Sequence, residues 1–355
     1  MKGRGTLPGQ VSTSVKLFRR KKLQLTAQSA APLSRLMYYR RVFSAYLGRG
    51  TSQLTFWHER PEVNAHFRPG NLGEYYMTFF SKADYQGPFD SRGIPLLDYR
   101  GALGRQYNPI AIAQFGLGNY NCYVRSKDAV RKQKFLMVAD WLRDSLVANS
   151  NGIPVWMHNF DWEYRDTLKA PWYSGLAQGQ GISVLVRAYA ETGQREYLDA
   201  ATRASQAFHV DVKAGGVACR DENNNLWIEE YMVSPPTHIL NGFLWASWGI
   251  YDYLLATGDS RMEELFKAIV ETLRNRLACF DIGFWSLYEQ SGTKLRMIAS
   301  PFYHALHIVQ LEVMHKITGE LFFAEFAERW RCYQTNWFKR NRALAHKAAF
   351  KLLYY

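Results

Sequence analysis

From about residue 126 onward, apolar residues recur at the 3.6-residue spacing of a helix with one buried face. In the first such stretch the apolar positions are Val130, Leu136, Val138, Trp141, Leu142 and Leu146. Three later apolar stretches, at about 174–191, 237–256 and 301–317, are long enough for further helices. The pattern therefore predicts a mainly α-helical chain.

Each of these three later stretches ends in the same dipeptide, and a second helical pattern follows it. The dipeptides are Thr192-Gly193, Thr257-Gly258 and Thr318-Gly319. Glycine ends a helix in the left-handed conformation and permits a tight reversal, so the pattern is an internal repeat of helical hairpins. Hairpins repeated in this way predict an α/α toroid in the form of an incomplete barrel.

In such a ring the short Thr-Gly turns lie at one end, and the longer connections between hairpins meet at the other end. These connections span about 150–173, 212–236 and 279–300. The aromatic, acidic and imidazole residues in them that suit a functional cleft include Trp156, His158, Asp161, Trp162, Glu163, Trp227, Glu229, Glu230, Tyr231, Trp285 and Tyr288. We therefore expect a functional cleft where the three connections converge.

The chain divides into four predicted segments. Residues 1–50 form a basic and flexible N-terminal extension, residues 51–125 a loop- and strand-rich segment that covers the cleft, residues 126–336 the toroid, and residues 337–355 a basic C-terminal tail. Of the formal net charge of +13, most lies at the N-terminus, where residues 1–60 hold 12 Lys or Arg and one acidic residue. Such an arm is typical of contact with an anionic membrane surface or a polyanion, and equally of a solvated extension.

No stretch reaches the roughly 18 to 20 apolar residues of a membrane-spanning helix, and no basic-then-apolar leader is present. We therefore expect a soluble protein, either cytoplasmic or peripheral to the inner face of a membrane. The cysteines lack the spacing of metal ligands, so we expect reduced thiols and no metal site. They are Cys122, Cys219, Cys279 and Cys332. No phosphate-binding glycine loop lies between a strand and a helix, so no cofactor is expected.

Two groups of residues are candidates for proton transfer. The run Glu229–Tyr231 is expected to be extended, so alternation directs Glu230 to the side opposite its neighbours. A carboxylate aimed into an aromatic cleft has a raised pKa and suits a general base, although solvated loop acids give the same pattern. Tyr303, His304 and His307 open the last of the apolar helices, where they are equally typical of partly buried capping residues.

One long run and five shorter blocks resemble a known family. The run PWYSGLAQGQGISVLVRAY at residues 171–189 is similar to the PWYSxxAQGQxISxLVRAY signature of heparosan and heparan glucuronyl C5-epimerases. The shorter blocks, in the order that the family has, are GIPL at 93–96, YNPIAIAQFGL at 107–117, WIEEY at 227–231, LNGF at 240–243 and YHALHIVQL at 303–311. Together they extend the resemblance over roughly residues 72–336.

The resemblance implies an enzyme that inverts C5 of D-glucuronate to L-iduronate within an acidic, heparosan-like polysaccharide, with residues 126–336 as its catalytic domain. Matched motif by motif, the implied catalytic residues are Glu230, Tyr231, Tyr288 and Tyr303. The expected substrate-binding residues are Glu163, Asn241, His304, His307, Tyr120, Tyr75, Tyr76 and Arg296.

Two departures from the family pattern limit what is implied. The animal enzymes carry a β-rich domain between the segment that matches Tyr120 and the first barrel helix. In this chain only a short stretch of sequence separates these two elements. The family's third tyrosine is followed three positions later by an Arg where this chain has Ser291, so a carboxylate or sulfate contact would fall to Arg296. The polysaccharide, its sulfation and a homodimer therefore stay open.

Inversion requires proton removal on one face and proton return on the other, which favours Glu230 and Tyr303 as the pair, with the order of action open. Phenol and amide donors, with His304 or His307 in cationic form, would stabilise the charge that develops on the carboxylate. Three alternatives share these features: a lyase that removes the same proton and expels the 4-linked sugar, a glycoside hydrolase using Glu163 and Glu230, and a non-catalytic glycan-binding scaffold. No nucleic-acid partner is expected.

Overall fold

The computed structural model describes residues 56–57, 60–99, 101–164 and 167–354. The basic extension predicted at residues 1–50 lies outside these residues and stays a prediction. Among the helices of the described part, none combines the length and the apolar character needed to cross a lipid bilayer.

The described residues form ten α-helices, several 3-10 turns and four two-stranded antiparallel sheets. The helices are α1 (Phe80–Ala83), α2 (Pro109–Ser126), α3 (Ala129–Asp144), α4 (Gly175–Thr192), α5 (Arg195–Ser205), α6 (Leu240–Thr257), α7 (Ser260–Arg276), α8 (Pro301–Thr318), α9 (Leu321–Thr335) and α10 (Trp337–Tyr354). The strands pair as β1 (Leu97–Asp98) with β2 (Arg105–Gln106), β3 (Val147–Ala148) with β4 (Pro154–Val155), β5 (Trp162–Glu163) with β6 (Thr167–Leu168), and β7 (Ala218–Arg220) with β8 (Leu226–Ile228).

The Thr-Gly turns end three of the long helices as the sequence predicts. Gly193, Gly258 and Gly319 each follow the last helical residue, with φ of 71°, 69° and 75° respectively. In each case the glycine N–H donates to the carbonyl of the residue four positions earlier, which closes the last turn. The chain then reverses into α5, α7 and α9, so the predicted helical hairpins are confirmed.

The hairpins are arranged as a partial α/α toroid. Helices α2, α4, α6 and α8 pack in chain order along the inner side, while α3, α5, α7 and α9 are their outer partners. The inner helices α4 and α6 approach most closely where glycines face each other: a Cβ on Gly249 would lie 2.2 Å from the carbonyl oxygen of Gly179. Side chains at these two positions would therefore force the helices apart.

Two segment boundaries differ from those predicted. Residues 109–125, assigned from the sequence to the loop- and strand-rich cover, belong to α2, because Asn108 caps the helix and Pro109 occupies its first turn. The toroid therefore begins at Pro109. Residues 337–354, predicted as a tail, form α10, which buries Ala343 and Phe350 at a helical spacing of seven residues.

An ion pair holds α4 to α6 inside the ring. The Arg187 guanidinium donates to Asp252 at 2.6 and 3.0 Å, and both side chains are fully buried. Tyr76 donates its hydroxyl to the same carboxylate at 2.5 Å, and Arg187 Nε donates to the carbonyl of Gly73 at 2.9 Å. Burial lowers the pKa of Arg187, but the charge and the hydrogen bonds of Asp252 more than offset this and raise it, so Arg187 stays charged.

We expect Asp252→Asn to lower the free energy of unfolding by about 3–5 kcal/mol, because the buried charge of Arg187 would lose its partner. Asp199→Asn is the matched control, since Asp199 pairs with Arg195 at the surface with both side chains more than half exposed; its effect should stay below about 1 kcal/mol. Urea unfolding measures both. Equal losses in the two variants would contradict the structural role given to Asp252.

Candidate active site

The segment that follows β8 is fixed by its backbone. Glu229 N–H donates to the carbonyl of Val217 at 2.8 Å, and the carbonyl of Glu229 accepts from Gly175 N–H at 3.0 Å. A Cβ on Gly175 would lie 2.4 Å from that carbonyl oxygen, so only glycine allows the contact at the start of α4. The segment is thereby held against the first turn of an inner helix.

The two adjacent carboxylates point to different surroundings, as alternation predicts, but Tyr231 lies with Glu230 and not on the opposite side, because the chain bends at residues 230 and 231. Glu229 accepts from the backbone N–H of His238 at 3.1 Å and lies 2.5 Å from its Nδ1, so it is a structural group. Glu230 packs against Gly242 of α6, where a Cβ would lie 2.3 Å from Glu230 Oε2. Glu230 is only 5% exposed, and its Oε2 has no hydrogen-bond partner in the described structure.

Burial raises the pKa of Glu230 to about 8. A hydrogen bond with Tyr231 opposes this shift, while the negative charges of Glu289 and Glu229 add to it. A carboxyl group with such a pKa exchanges its proton near neutral pH, which is the range in which acid–base catalysis is most effective.

Two of the predicted catalytic tyrosines, Tyr231 and Tyr288, lie close to this carboxyl group, and Tyr303 packs against Tyr288. The rings of Tyr288 and Tyr303 are 4.9 Å apart, and burial followed by the charge of Glu230 holds the pKa of both Tyr231 and Tyr288 well above the usual phenol value. Tyr303 stands in the first turn of α8, where its N–H donates to the hydroxyl of Ser300. Tyr231 and Tyr288 therefore remain protonated phenols that can donate hydrogen bonds.

Tyr164 and Glu289, which the sequence did not predict, also belong to this cluster. Tyr164 donates its hydroxyl hydrogen to Glu289, its hydroxyl oxygen lies 3.0 Å from Thr237 Oγ1, and its ring lies 4.8 Å from that of Tyr231. Glu289 is 3% exposed. The predicted neighbour Glu163 lies on β5 and is exposed, so it does not join the cluster. Alternation along β5 is the signal that would have selected Tyr164.

The two predicted histidines are neutral, which corrects the expectation that one of them is cationic. His304 stacks on Trp285 at 3.7 Å, and its ring nitrogens contact Ser286 and the carbonyl of Trp330. Burial lowers its pKa to about 4, and it lowers that of His307 well below the usual value. His304 therefore supports the Tyr288 loop and has no nitrogen left for a ligand, whereas Nε2 of His307 has no partner in the described part.

Asn241 lies where the sequence places it, in the first turn of α6 beside Gly242. Its backbone carbonyl accepts from Gln310 Nε2 at 2.9 Å, and its buried Oδ1 has no partner among the described residues. The side chain therefore keeps an acceptor for a ligand. Since Gly242 contacts Glu230, Asn241 belongs to the same end of the toroid.

Four predicted residues lie elsewhere. Tyr75 and Tyr76 pack around the Arg187–Asp252 ion pair, with the Arg187 guanidinium 5.2 and 5.7 Å from their rings. Tyr120 is in the later half of α2, away from the helix ends that carry Glu230 and Tyr303. Arg296 is exposed, and its backbone carbonyl lies 2.9 Å from His346 Nε2.

The terminal helix also reaches the loop that carries Tyr288. Lys347 of α10 donates to the carbonyl of Ile298 at 2.6 Å, and its Nζ lies 6.0 Å from the centre of the Tyr288 ring. Ile298 forms a bridge to Leu287, the residue before Tyr288. Burial lowers the pKa of Lys347 to about 7.

Taken together, the geometry combines a buried carboxyl group, three phenols and an amide acceptor at the open end of a toroid. No group of three His, Cys, Asp or Glu side chains in the described ranges has the arrangement of a metal site. The groups present suit proton transfer to and from a bound molecule, with phenols placed to stabilise negative charge.

The sequence model of the family described as D-glucuronyl C5-epimerase C-terminus matches residues 150–332, more than half of the chain. The chain belongs to this family. The match contains α4 to α8 and every residue of the carboxyl and tyrosine cluster, including Tyr164 and Glu289. The epimerase-family match thus covers the site that the geometry defines, while α2, α3 and α10 lie outside it.

Two curated relatives are similar to this chain. A D-glucuronyl C5-epimerase of Caenorhabditis elegans is 31% identical over 233 residues, which is 59% of this chain and 37% of the relative. An uncharacterized protein of Methanocaldococcus jannaschii is 29% identical over 180 residues, 50% of this chain and 57% of the relative. The chain thus spans well under two thirds of the length of either relative.

Solved structures with a similar fold include two enzymes. An unsaturated glucuronyl hydrolase from Bacillus sp. GL1 has 15% sequence identity and a TM-score of 0.42, with 63% of this chain and 61% of that chain covered. A cellobiose 2-epimerase from Bacillus thermoamylovorans has 13% identity and a TM-score of 0.48, with 85% and 70% covered.

In the protein without ligand, we expect the carboxyl carbon of Glu230 to titrate with a pKa of about 8 by NMR of a protein labelled with ¹³C-glutamate. Glu289→Gln should lower this pKa, because it removes a negative charge that disfavours ionisation. Glu163→Gln, which changes an exposed carboxylate, should leave the pKa of Glu230 unchanged. A pKa near the usual 4.5 in the unmodified protein would contradict the buried setting of Glu230.

Proposed function

We propose that this chain inverts C5 of D-glucuronate units within an acidic, heparosan-like polysaccharide to give L-iduronate. The observation that carries the proposal is Glu230, a buried carboxyl group with a raised pKa and neighbouring phenols, whose Oε2 has no partner in the part of the chain that the structure describes. The family match over the same residues supports the choice of a uronate as substrate.

The chemistry of the substrate explains why the site would need several phenols. The C5 hydrogen of a glucuronate lies next to a carboxylate, so its removal adds negative charge to a group that is already anionic. Hydrogen-bond donors that meet this charge as it develops lower the barrier, and they are most effective where water is excluded. Tyr231 and Tyr288, kept protonated by burial, would serve as these donors.

We assign proton removal from glucuronate to Glu230 and proton return to Tyr303. A carboxyl group with a pKa of about 8 ionises at lower pH than a phenol, whose usual pKa is about 10. At slightly alkaline pH the resting enzyme would therefore hold an ionised Glu230 and a protonated Tyr303. The first removes the proton from one face of the sugar, and the second supplies a proton to the opposite face.

The proposed partner of the protein is its polysaccharide substrate. An acidic polysaccharide is the substrate that the uronate chemistry requires. Contact of the basic arm at residues 1–50 with a membrane surface or a polyanion stays a prediction, as do a homodimer and a cytoplasmic location.

Incubation with unsulfated heparosan in deuterated water tests the proposal. We expect deuterium at C5, a mixture of glucuronate and iduronate by NMR, and an unchanged polymer length. An unsaturated uronate end with its ultraviolet absorbance, together with shortened chains, would instead assign a lyase. New reducing ends without exchange at C5 would assign a hydrolase, and no change in any of several glucuronate polymers would favour a binding scaffold.

Glu230→Gln and Tyr303→Phe test the two proton-transfer roles. Each should lower kcat by about two or more orders of magnitude, the scale of general acid–base groups, while binding of the polymer survives. Glu163→Gln is the control, because Glu163 is exposed and outside the cluster. Turnover within a few fold of the unmodified enzyme in either variant would remove that residue from the mechanism.

A further inference from the structure

Helix α10 turns large apolar side chains toward solvent. Trp337 and Phe338 are 60% and 77% exposed, Leu352 is 70% exposed and Leu344 is 47% exposed. Apolar residues scattered singly over a surface are ordinary, but these four belong to one helix of 18 residues. A concentration of this kind is typical of a surface that another molecule covers.

The helix has two different faces. Ala343 and Phe350 are buried against the toroid. At about 100° per residue, Trp337, Leu344 and Leu352 lie within about 80° of one another and point away from that buried side. Exposed alanines fill the spaces between the larger side chains. The exposed strip, which we call the apolar face of α10, consists of Trp337, Phe338, Leu344, Ala345, Ala348, Ala349 and Leu352.

Positive charge borders the apolar face on both sides. Arg340 and Lys351 lie along one edge and Arg342 along the other, as the helical spacing requires. Residues 337–354 contain five Lys or Arg and no Asp or Glu. His346 Nε2 lies 2.9 Å from the carbonyl of Arg296, an exposed residue that adds a further cation beside the helix. An apolar strip between cations is typical of a helix that lies in the surface of an anionic bilayer.

Contacts with a single connection of the toroid fix the orientation of α10. Lys339 donates to the carbonyl of Gly283 at 2.9 Å, and the Arg342 guanidinium lies 4.0 Å from the centre of the Phe284 ring. Gly283 and Phe284 belong to the connection that also carries Tyr288. The helix therefore lies at the end of the toroid that holds the carboxyl and tyrosine cluster, with its apolar face directed outward.

We propose that α10 binds the surface of an anionic lipid bilayer and holds the open end of the toroid beside it. A bilayer meets both features of the helix, because its acyl region takes up the apolar face and its headgroups meet the bordering cations. A soluble polyanion would leave the apolar face in water. A second copy of the chain would bring the same cations together. The inference concerns a different part of the chain from the basic arm at residues 1–50 and does not depend on the proposed function.

Co-sedimentation of the full chain with phosphatidylcholine vesicles, with and without phosphatidylserine, tests the proposal. We expect binding to the vesicles that contain phosphatidylserine, and weaker binding to those without it. The double variant Trp337→Ser with Phe338→Ser should weaken binding by at least about tenfold, because two aromatic side chains would no longer enter the bilayer. Arg340→Glu should weaken it by about fivefold or more, because a headgroup contact is replaced by repulsion.

Leu321→Ser is the matched control, because Leu321 is 68% exposed but begins α9, about 21 Å along that helix from the start of α10. It should leave vesicle binding unchanged. Thermal unfolding of each variant separates loss of fold from loss of binding. The double variant should also keep C5 deuterium exchange on a short soluble oligosaccharide. Vesicle binding by α10 without any such exchange would support this inference while removing the proposed function.

Fluorescence separates α10 from the basic arm, since residues 1–50 contain no Trp. Vesicles with brominated acyl chains should quench tryptophan fluorescence of the bound protein, and Trp337→Phe should remove most of that quenching while binding is kept. Unchanged vesicle binding in the double variant, or unchanged quenching in Trp337→Phe, would overturn the inference. A lack of vesicle binding, together with a dimer that the double variant dissociates, would assign the apolar face to a second copy and overturn it as well.

Discussion

The close contact between α4 and α6 is the constraint on which the site depends. It requires a side of each helix that carries no side chain: Gly175 and Gly179 on α4, and Gly242 and Gly249 on α6. Gly179 and Gly249 let the two backbones meet. Gly175 leaves room for the Glu229 carbonyl, and Gly242 leaves room for the Glu230 carboxyl group. The same absence of side chains thus joins the helices and makes room for the reactive group.

This arrangement divides two adjacent glutamates into different roles. Glu229 is held by His238 and by two backbone contacts, so it fixes the segment. Glu230 Oε2 has no partner among the described residues, and burial raises the pKa of Glu230 to about 8, so this carboxyl group can take up and release a proton near neutral pH. Glu229 thus holds the segment in place, while the neighbouring Glu230 carboxyl group is available for proton transfer.

Much of the fold could be predicted from the sequence, because helical periodicity and Thr-Gly turns are local signals. Alternation separated Glu230 from Glu229, whereas Tyr231, Tyr288, Tyr303 and Asn241 came from the resemblance to the family motifs. Helix α2 was missed because it lacks the Thr-Gly ending that marks α4, α6 and α8 and contains Gly116 and Gly118, which are typical of loops. The neutral state of His304 and the contact of Tyr164 with Glu289 depend on residues distant in the chain, which no local pattern specifies.

Helix α10 shows that the functional unit and the sequence family have different boundaries. The family match ends at residue 332, yet Lys347 binds the strand segment that supports Tyr288. Substitutions in α10 would therefore affect the position of the Tyr288 phenol, although α10 lies outside the residues that the family model matches. A fragment limited to the matched residues 150–332 would keep every residue of the carboxyl and tyrosine cluster and still lose the contact that supports Tyr288.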